Sequence, residues 1–157
     1  MFSYYAMKAL SFFICLLPHR AAMALGEGLA RLAWNFIPAR RKALAREQVV
    51  RCLGVSDAEA ERIARASSLR FGPMLMEVLR YPVMKEHIED YVTLTGAVEE
   101  LRAVVAKGNG AVFATSHSGN WEIMGAAFAS AGFPVVGVAK RQSSAGMDRF
   151  INEYRAL

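Results

Sequence analysis

The stretch that decides the predicted fold is residues 111–122, which read AVFATSHSGNWE. Five mainly apolar residues, 111–115, are followed by a short polar segment, and a second apolar pattern starts at Trp121. A short apolar run of this kind is typical of a buried strand. Gly119 allows a sharp backbone turn, and Asn120 is a residue type that caps helices. The stretch therefore predicts a strand, a loop and a helix in direct succession.

The same alternation continues on both sides of this stretch. Residues 91–95 and 135–139 predict two more strands, and residues 98–107 and 121–130 predict helices that each end at a glycine. Strand, helix, strand, helix, strand is the pattern of a parallel sheet covered by helices. We therefore expect an α/β fold with mostly parallel strands in residues 91–157, preceded by helices.

The amino-terminal segment is strongly apolar. Residues 2–17 contain one charged side chain, Lys8, and Pro18 follows them. As a helix this segment is roughly 25 Å long, barely enough to span a bilayer. It predicts a membrane anchor helix in residues 1–20, with a buried core helix as the alternative. A helical, basic region near the membrane is expected in residues 21–90.

Three local patterns organise that basic region. Apolar residues recur at helical spacing, with two glycines beside them that allow close helix packing: Leu25, Leu29, Leu32, Phe36, Gly26 and Gly28. A short helix then carries five cations against Glu47: Arg40, Arg41, Lys42, Arg46 and Arg51. This helix is either a solvated charged face or a contact to lipid headgroups.

A helix start follows at Ser56, because Ser56 and Glu59 form a capping-box pattern. This helix is expected to kink or restart at residues 72–73, Gly-Pro, and to end at residues 81–82, Tyr-Pro.

Charge is unevenly distributed along the chain. Residues 1–70 contain 11 Lys or Arg and 5 Asp or Glu, whereas residues 71–157 contain 8 and 9. A basic region beside an apolar terminus suits an anionic membrane surface. Nucleic acid is a weaker candidate partner because the sequence lacks a basic-aromatic pattern.

Cysteine and histidine usage points away from cross-links and metals. Cys15 and Cys52 form neither a disulfide framework nor a CxxC pair. The three histidines, at positions 19, 87 and 117, are far apart and have no cysteines beside them, so no metal site is expected. We expect no cofactor.

His117 and Glu122 are the candidate catalytic residues. A histidine directly after a strand of an open α/β sheet lies in the crevice where such proteins bind ligands. Glu122, in the first turn of the next helix, can orient the imidazole and stabilise its charged form while His117 accepts a proton from a hydroxyl. The alternative is a histidine in a helix cap and a glutamate favoured by the helix dipole. A hydrolase is a third possibility, but a Gly-x-Ser-x-Gly elbow is lacking.

A histidine, four residues and an acidic residue, as at His117 and Glu122, resemble the motif of the lysophospholipid acyltransferase superfamily. The flanking sequence resembles its bacterial lipid A lauroyl and myristoyl acyltransferase branch. The resemblance covers the apolar amino terminus, the basic Pro-Ala-Arg-Arg helix, the run from Gly96 to Gly110, and the helix that contains residues 148–151. It therefore extends over nearly the whole chain.

The resemblance implies an enzyme on the cytoplasmic face of the bacterial inner membrane. It would transfer a fatty acyl chain from acyl carrier protein, the donor substrate, to a hydroxyl of a lipid A precursor. His117 would be the general base and Glu122 its partner.

Five further residues are expected to bind substrate. The helix start at Ser118, Gly119 and Asn120 would supply backbone amides to the thioester oxygen. Lys140 and Arg141 would bind phosphate.

Three alternatives to this interpretation stay open: a noncatalytic fragment, and two other classes of acceptor lipid. The later sequence blocks of the family have no counterpart here, so the α/β domain is expected to be truncated. The chain is then either a piece of an active enzyme or a noncatalytic membrane-associated fragment. The acceptor is either lipid A or another glycolipid, such as a phosphatidyl-mannoside, or a lysophospholipid.

Overall fold

The computed structural model describes residues 1–96 and 98–157. Within these ranges the chain forms α-helices and one 3₁₀ helix, and no strand. The α-helices are α1 Phe2–Cys15, α2 His19–Phe36, α3 Ala39–Leu53, α4 Asp57–Met84, α5 Val98–Ala106, α6 Trp121–Ser130 and α7 Ala145–Arg155, and the 3₁₀ helix is Lys85–Asp90. The chain divides into two compact units: unit 1 contains Met1–Cys15 and Val78–Leu157, and unit 2 is Leu16–Glu77.

The predicted α/β fold is wrong, because residues 91–95, 111–115 and 135–139 are not strands. A strand is stable only when its backbone groups pair with a neighbouring strand and its apolar side chains are covered. Neither condition is met here. The side chains of Val112, Val136 and Val138 are almost fully exposed, and the described residues contain no sheet. An apolar run alone therefore did not produce a strand.

The helices next to these segments were predicted correctly. The helices expected over residues 98–107 and 121–130 are α5 and α6.

Ser56 caps α4, with its Oγ atom accepting a hydrogen bond from the Glu59 amide at 3.3 Å. The predicted end of this helix at residues 81–82 is wrong, since α4 continues to Met84 through both prolines.

The expected membrane-spanning anchor was not found. In the described part of the chain no helix combines the length and the apolar character needed to cross a bilayer. Helix α1 has 14 residues, or about 21 Å, against a hydrocarbon core of about 30 Å.

One core of unit 1 lies between α6 and the segment that ends α4. Met84, Ile88, Ile123 and Ala127 are each at least 95% buried, and residues 81, 92 and 94 pack around them. Burying side chains of this kind contributes about 1.5–3 kcal/mol for each large apolar residue. This core fixes the position of α6, whose first turn carries Glu122.

Helix α1 packs against α7 through polar contacts as well as apolar ones. Glu153 accepts hydrogen bonds from Tyr4 Oη at 2.5 Å and from Lys8 Nζ at 2.7 Å. The buried Ser11 hydroxyl is hydrogen-bonded to the hydroxyl of Tyr154 and donates to the Leu79 carbonyl at 2.6 Å. These groups join α1, α7 and the end of α4.

In unit 2, α2 and α4 approach each other at two glycines. A Cβ atom on Gly26 would lie 2.7 Å from the Gly72 carbonyl oxygen and 2.7 Å from Met76 Cγ. Ala22, one turn before Gly26, is completely buried. The close packing expected at Gly26 is therefore confirmed. A Cβ atom on Gly28 would meet nothing within 4 Å, so Gly28 has no such role.

Candidate functional site

The loop before α6 turns sharply at the candidate site. Gly119 has φ of 65°, a left-handed conformation that side-chain-bearing residues rarely adopt. Asn120 is the N-cap, and its Oδ1 atom accepts a hydrogen bond from the Ile123 amide at 3.3 Å. The predicted cap at Asn120 is confirmed, and it sets where α6 starts.

His117 lies in this loop, as the sequence required. Its side chain is exposed, and its imidazole ring stands 4.6 Å from the Trp121 ring, centroid to centroid, at an interplanar angle of 56°. Ser118 and Gly119 are also exposed on the loop. The imidazole is therefore accessible to a ligand from solution.

Glu122 is held by Arg155 at the end of α7. Arg155 donates from Nε to Glu122 Oε2 at 2.9 Å and from Nη2 to Oε1 at 2.5 Å. These hydrogen bonds hold the pKa of the Glu122 carboxyl below its usual value and raise that of Arg155, although partial burial opposes both shifts. Glu122 is therefore a carboxylate at neutral pH.

The predicted hydrogen bond between His117 and Glu122 is not formed in the described structure. The carboxylate points to Arg155, and the imidazole is placed against Trp121. A carboxylate has about four lone-pair positions, and Arg155 takes one on each oxygen. Glu122 can therefore accept another hydrogen bond while it stays paired with Arg155.

Lys140, Arg141 and Arg155 line one polar cavity of about 140 Å³. Its only acidic lining residue, Asp148, accepts a hydrogen bond from the Gln142 amide at 2.8 Å and lies 3.6 Å from Arg141 Nε. Together with Glu122, which pairs with the lining residue Arg155, three cations and two carboxylates give this cavity a net charge of +1. The cavity has the charge and the donors expected of an anion-binding site.

The structure thus brings some predicted site residues together and leaves others apart. Lys140 and Arg141 share a cavity with Arg155, which connects them to Glu122. The lining described for this cavity does not include His117, Ser118, Gly119 or Asn120.

Sequence reasoning missed Arg155 and Asn152. A usable signal was present: residues 148, 152 and 155 follow the i, i+4, i+7 spacing and so share one face of α7. As to metals, the described residues hold no cluster of three or more His, Cys, Asp or Glu that could bind an ion.

An accessible histidine, an ionised glutamate and a cationic cavity fit the class of group-transfer enzymes that act on anionic substrates. The chain belongs to the bacterial lipid A biosynthesis acyltransferase family, whose model matches residues 1–157. It is also similar to a phosphatidylinositol mannoside acyltransferase of Mycobacterium tuberculosis (strain CDC 1551 / Oshkosh), with 35% identity over 83 residues. That match covers 51% of this chain and 26% of the relative, so the matched segment spans about a quarter of the relative's length. No solved structure matches the chain.

Proposed function

We propose that this chain belongs to an enzyme that transfers a fatty acyl chain from acyl carrier protein to a hydroxyl of a lipid A precursor. The observation that carries the proposal is the position of Arg155. It donates hydrogen bonds to the Glu122 carboxylate, beside the loop of His117, and it also lines the cavity of Lys140 and Arg141. A catalytic carboxylate and a phosphate site would thus share one side chain.

In this proposal His117 is the general base. It accepts the proton of the acceptor hydroxyl, and the hydroxyl oxygen attacks the thioester carbonyl carbon of the donor. The new carbon–oxygen bond forms, the carbon–sulfur bond breaks, and the proton passes from the imidazolium to the leaving thiolate. Glu122 stabilises the imidazolium. In this step the ring of His117 turns away from Trp121 and towards the Glu122 carboxylate.

Charge develops on the thioester oxygen during this step. The backbone amides of Ser118, Gly119 and Asn120 are the proposed donors to it, because they lie at the amino-terminal end of α6, where the helix dipole favours negative charge. Removal of one such donor typically reduces kcat by 10²–10³-fold.

Lys140 and Arg141 are proposed to bind phosphate of the lipid or of the carrier. They lie in the cavity with Arg155, Gln142 and Asn152, all of which can donate hydrogen bonds. A phosphate in this cavity would hold the acceptor near Glu122.

The enzyme is proposed to act at the cytoplasmic face of the bacterial inner membrane. Phe2, Phe12, Phe13 and Leu16 are all more than 60% exposed along α1 and its end, while Tyr4, Ser11 and Ile14 face the protein. A helix with one aromatic face outward and one face packed suits attachment within the interface of a bilayer.

A second acceptor class is supported by the relative. The protein that shares 35% identity with this chain over 83 residues is a phosphatidylinositol mannoside acyltransferase. An acceptor that is a mannosylated phosphatidylinositol would present the same chemical groups, a sugar hydroxyl and a phosphate.

One assay distinguishes between the two proposed acceptors. Membranes that contain the full-length protein are supplied with radiolabelled acyl-acyl carrier protein and with either lipid A precursor or phosphatidylinositol mannoside, and the lipids are separated by chromatography. Label on the lipid A precursor alone supports the first proposal, and label on the mannoside alone supports the second. If neither lipid is labelled while the protein is folded and membrane-bound, the acyl transfer proposal is wrong.

A further inference from the structure

Helix α2 of unit 2 packs through two small residues and through Trp34. Ala22 and Gly26 are buried, and Gly26 lies directly against Gly72 of α4. Leu25, which follows Ala22 by three residues, is 41% exposed. The contact with α4 at Gly26 therefore uses small residues of α2. Trp34 is buried as well, whereas most of the other large apolar side chains of α2 are left exposed.

Those side chains form one continuous apolar face, which we call the leucine face. They follow the i, i+4, i+7, i+11 spacing over about 16 Å and are 41–78% exposed: Leu25, Leu29, Leu32 and Phe36. Glu27 and Arg31 are paired with each other at 2.6 Å on a different side of the helix. The leucine face thus contains no charged residue.

Cations gather where the leucine face ends. Phe36 is followed after three residues by Arg40, Arg41 and Lys42 in the first turns of α3, of which Arg40 and Arg41 are exposed and Lys42 is half-buried. Lys42 Nζ stands 4.8 Å from the centroid of the Trp34 ring. The positive end of a helix dipole repels cations, so these three side chains do not stabilise α3 by their position.

Unit 2 as a whole is also positively charged. Residues 16–77 contain ten Lys or Arg and six Asp or Glu, so unit 2 carries +4 of the formal net charge of +5. Within the described ranges, none of Arg40, Arg41 and Lys42 takes part in an ion pair. Their charge is therefore available to an external anion.

We propose that the leucine face of α2 and the three cations at the start of α3 bind the surface of an anionic lipid bilayer. The apolar side chains would enter the boundary between headgroups and acyl chains, and the cations would contact the phosphates. The surface lies in unit 2, so it is additional to the contact proposed for α1, and it does not rest on the acyl transfer reaction.

The test is flotation of the purified chain with vesicles of phosphatidylglycerol and phosphatidylcholine, or of phosphatidylcholine alone. The background protein carries Phe12→Ser and Phe13→Ser, which weaken the contact of α1 without touching its packed face. We expect this protein to bind the anionic vesicles still. Leu29→Ser with Leu32→Ser should then lower the partition coefficient at least tenfold, since two exposed apolar anchors are lost.

A matched control removes two apolar side chains of similar exposure elsewhere in unit 2. Leu53→Ser with Phe71→Ser should leave binding within about twofold of the background, because neither residue belongs to the leucine face. Circular dichroism checks that both double variants are folded. If the leucine-face variant binds as the background does, the proposal is wrong.

The cations are tested by a second pair of variants. Arg40→Gln with Arg41→Gln should weaken binding to anionic vesicles about thirtyfold, because each cation near the surface contributes about 1 kcal/mol, or about fivefold in affinity. Arg65→Gln with Arg70→Gln removes the same charge from exposed positions of α4 and should have a smaller effect.

Two results would overturn the proposal. Equal loss in both arginine pairs would show that the net charge of the protein, and not the cations at the start of α3, determines binding. Unchanged vesicle binding together with lost cross-linking to acyl carrier protein would make the surface a protein docking site.

Discussion

Arg155 donates a hydrogen bond to each carboxylate oxygen of Glu122, from Nε at 2.9 Å and from Nη2 at 2.5 Å, although the two residues are 33 positions apart in the sequence. The pair links the last turn of α7 to the first turn of α6, with the Arg155 side chain 39% and the Glu122 side chain 25% exposed. Bidentate pairing fixes the carboxylate plane as well as its charge. Glu122 is consequently ionised and oriented before any substrate binds.

The first prediction is that Arg155→Gln raises the pKa of Glu122. The ion pair holds the folded-state pKa below the ordinary value, so its stabilisation is present above about pH 4.3 and disappears as the pH falls through the lowered pKa. The variant should lose this pH dependence but no more than about 1 kcal/mol of stability, because the pair is partly exposed. Carboxyl ¹³C titration by NMR measures the pKa. Arg149→Gln is the control, and an unchanged pKa in Arg155→Gln contradicts the prediction.

The second prediction concerns His117 in the full-length enzyme. His117→Ala should reduce acyl transfer by more than about a hundredfold, within the range typical of loss of a positioned general base. Glu122→Gln should be milder, because the amide oxygen can still hold the ring but cannot stabilise its positive charge. The assay is transfer of labelled acyl chain from acyl carrier protein. Near-normal turnover by a folded, membrane-bound His117→Ala protein would leave His117 and Glu122 as a helix-start motif only.

The third prediction compares two glycines of α2. Gly26→Ala should destabilise the chain by about 1–3 kcal/mol, because its methyl group would overlap the Gly72 carbonyl. Gly28→Ala should be neutral or stabilise by up to about 1 kcal/mol, since alanine favours helix and the site is open. Urea unfolding monitored by circular dichroism measures both. Equal effects of the two substitutions would contradict the close approach of α2 and α4.

The fourth prediction concerns the buried hydroxyl of Ser11. Ser11→Ala removes the donor to the Leu79 carbonyl and the partner of the Tyr154 hydroxyl, so it should cost about 1–3 kcal/mol of unfolding free energy. Ser67→Ala, at an exposed site of α4, should change stability by less than about 0.5 kcal/mol. Thermal unfolding compares the two variants. No difference between them would mean that α1 is not held to α7 through this hydroxyl.

Local signals in the sequence predicted local structure well. Ser56 and Asn120 cap α4 and α6 where the sequence placed them, because a cap depends only on groups within a few residues. The loop position of His117 follows from the same cap. These features need no knowledge of distant contacts.

Features that depend on distant residues were predicted poorly. Residues 111–115 and 135–139 have the composition of strands, but a strand also needs a partner, which no local pattern supplies. Helical periodicity identified the apolar stripe of α2, yet the small face at Gly26 makes the contact with α4. Arg155 was missed because its partner lies on another helix.

The last turn of α7 also has a practical consequence for anyone who shortens the protein. Glu153 and Tyr154 hold α1, and the next residue, Arg155, holds Glu122. Removal of residues 1–15 would therefore loosen the support of Arg155, the residue that orients the Glu122 carboxylate. A preparation trimmed in this way would test a damaged site, and its inactivity would say nothing about the intact protein.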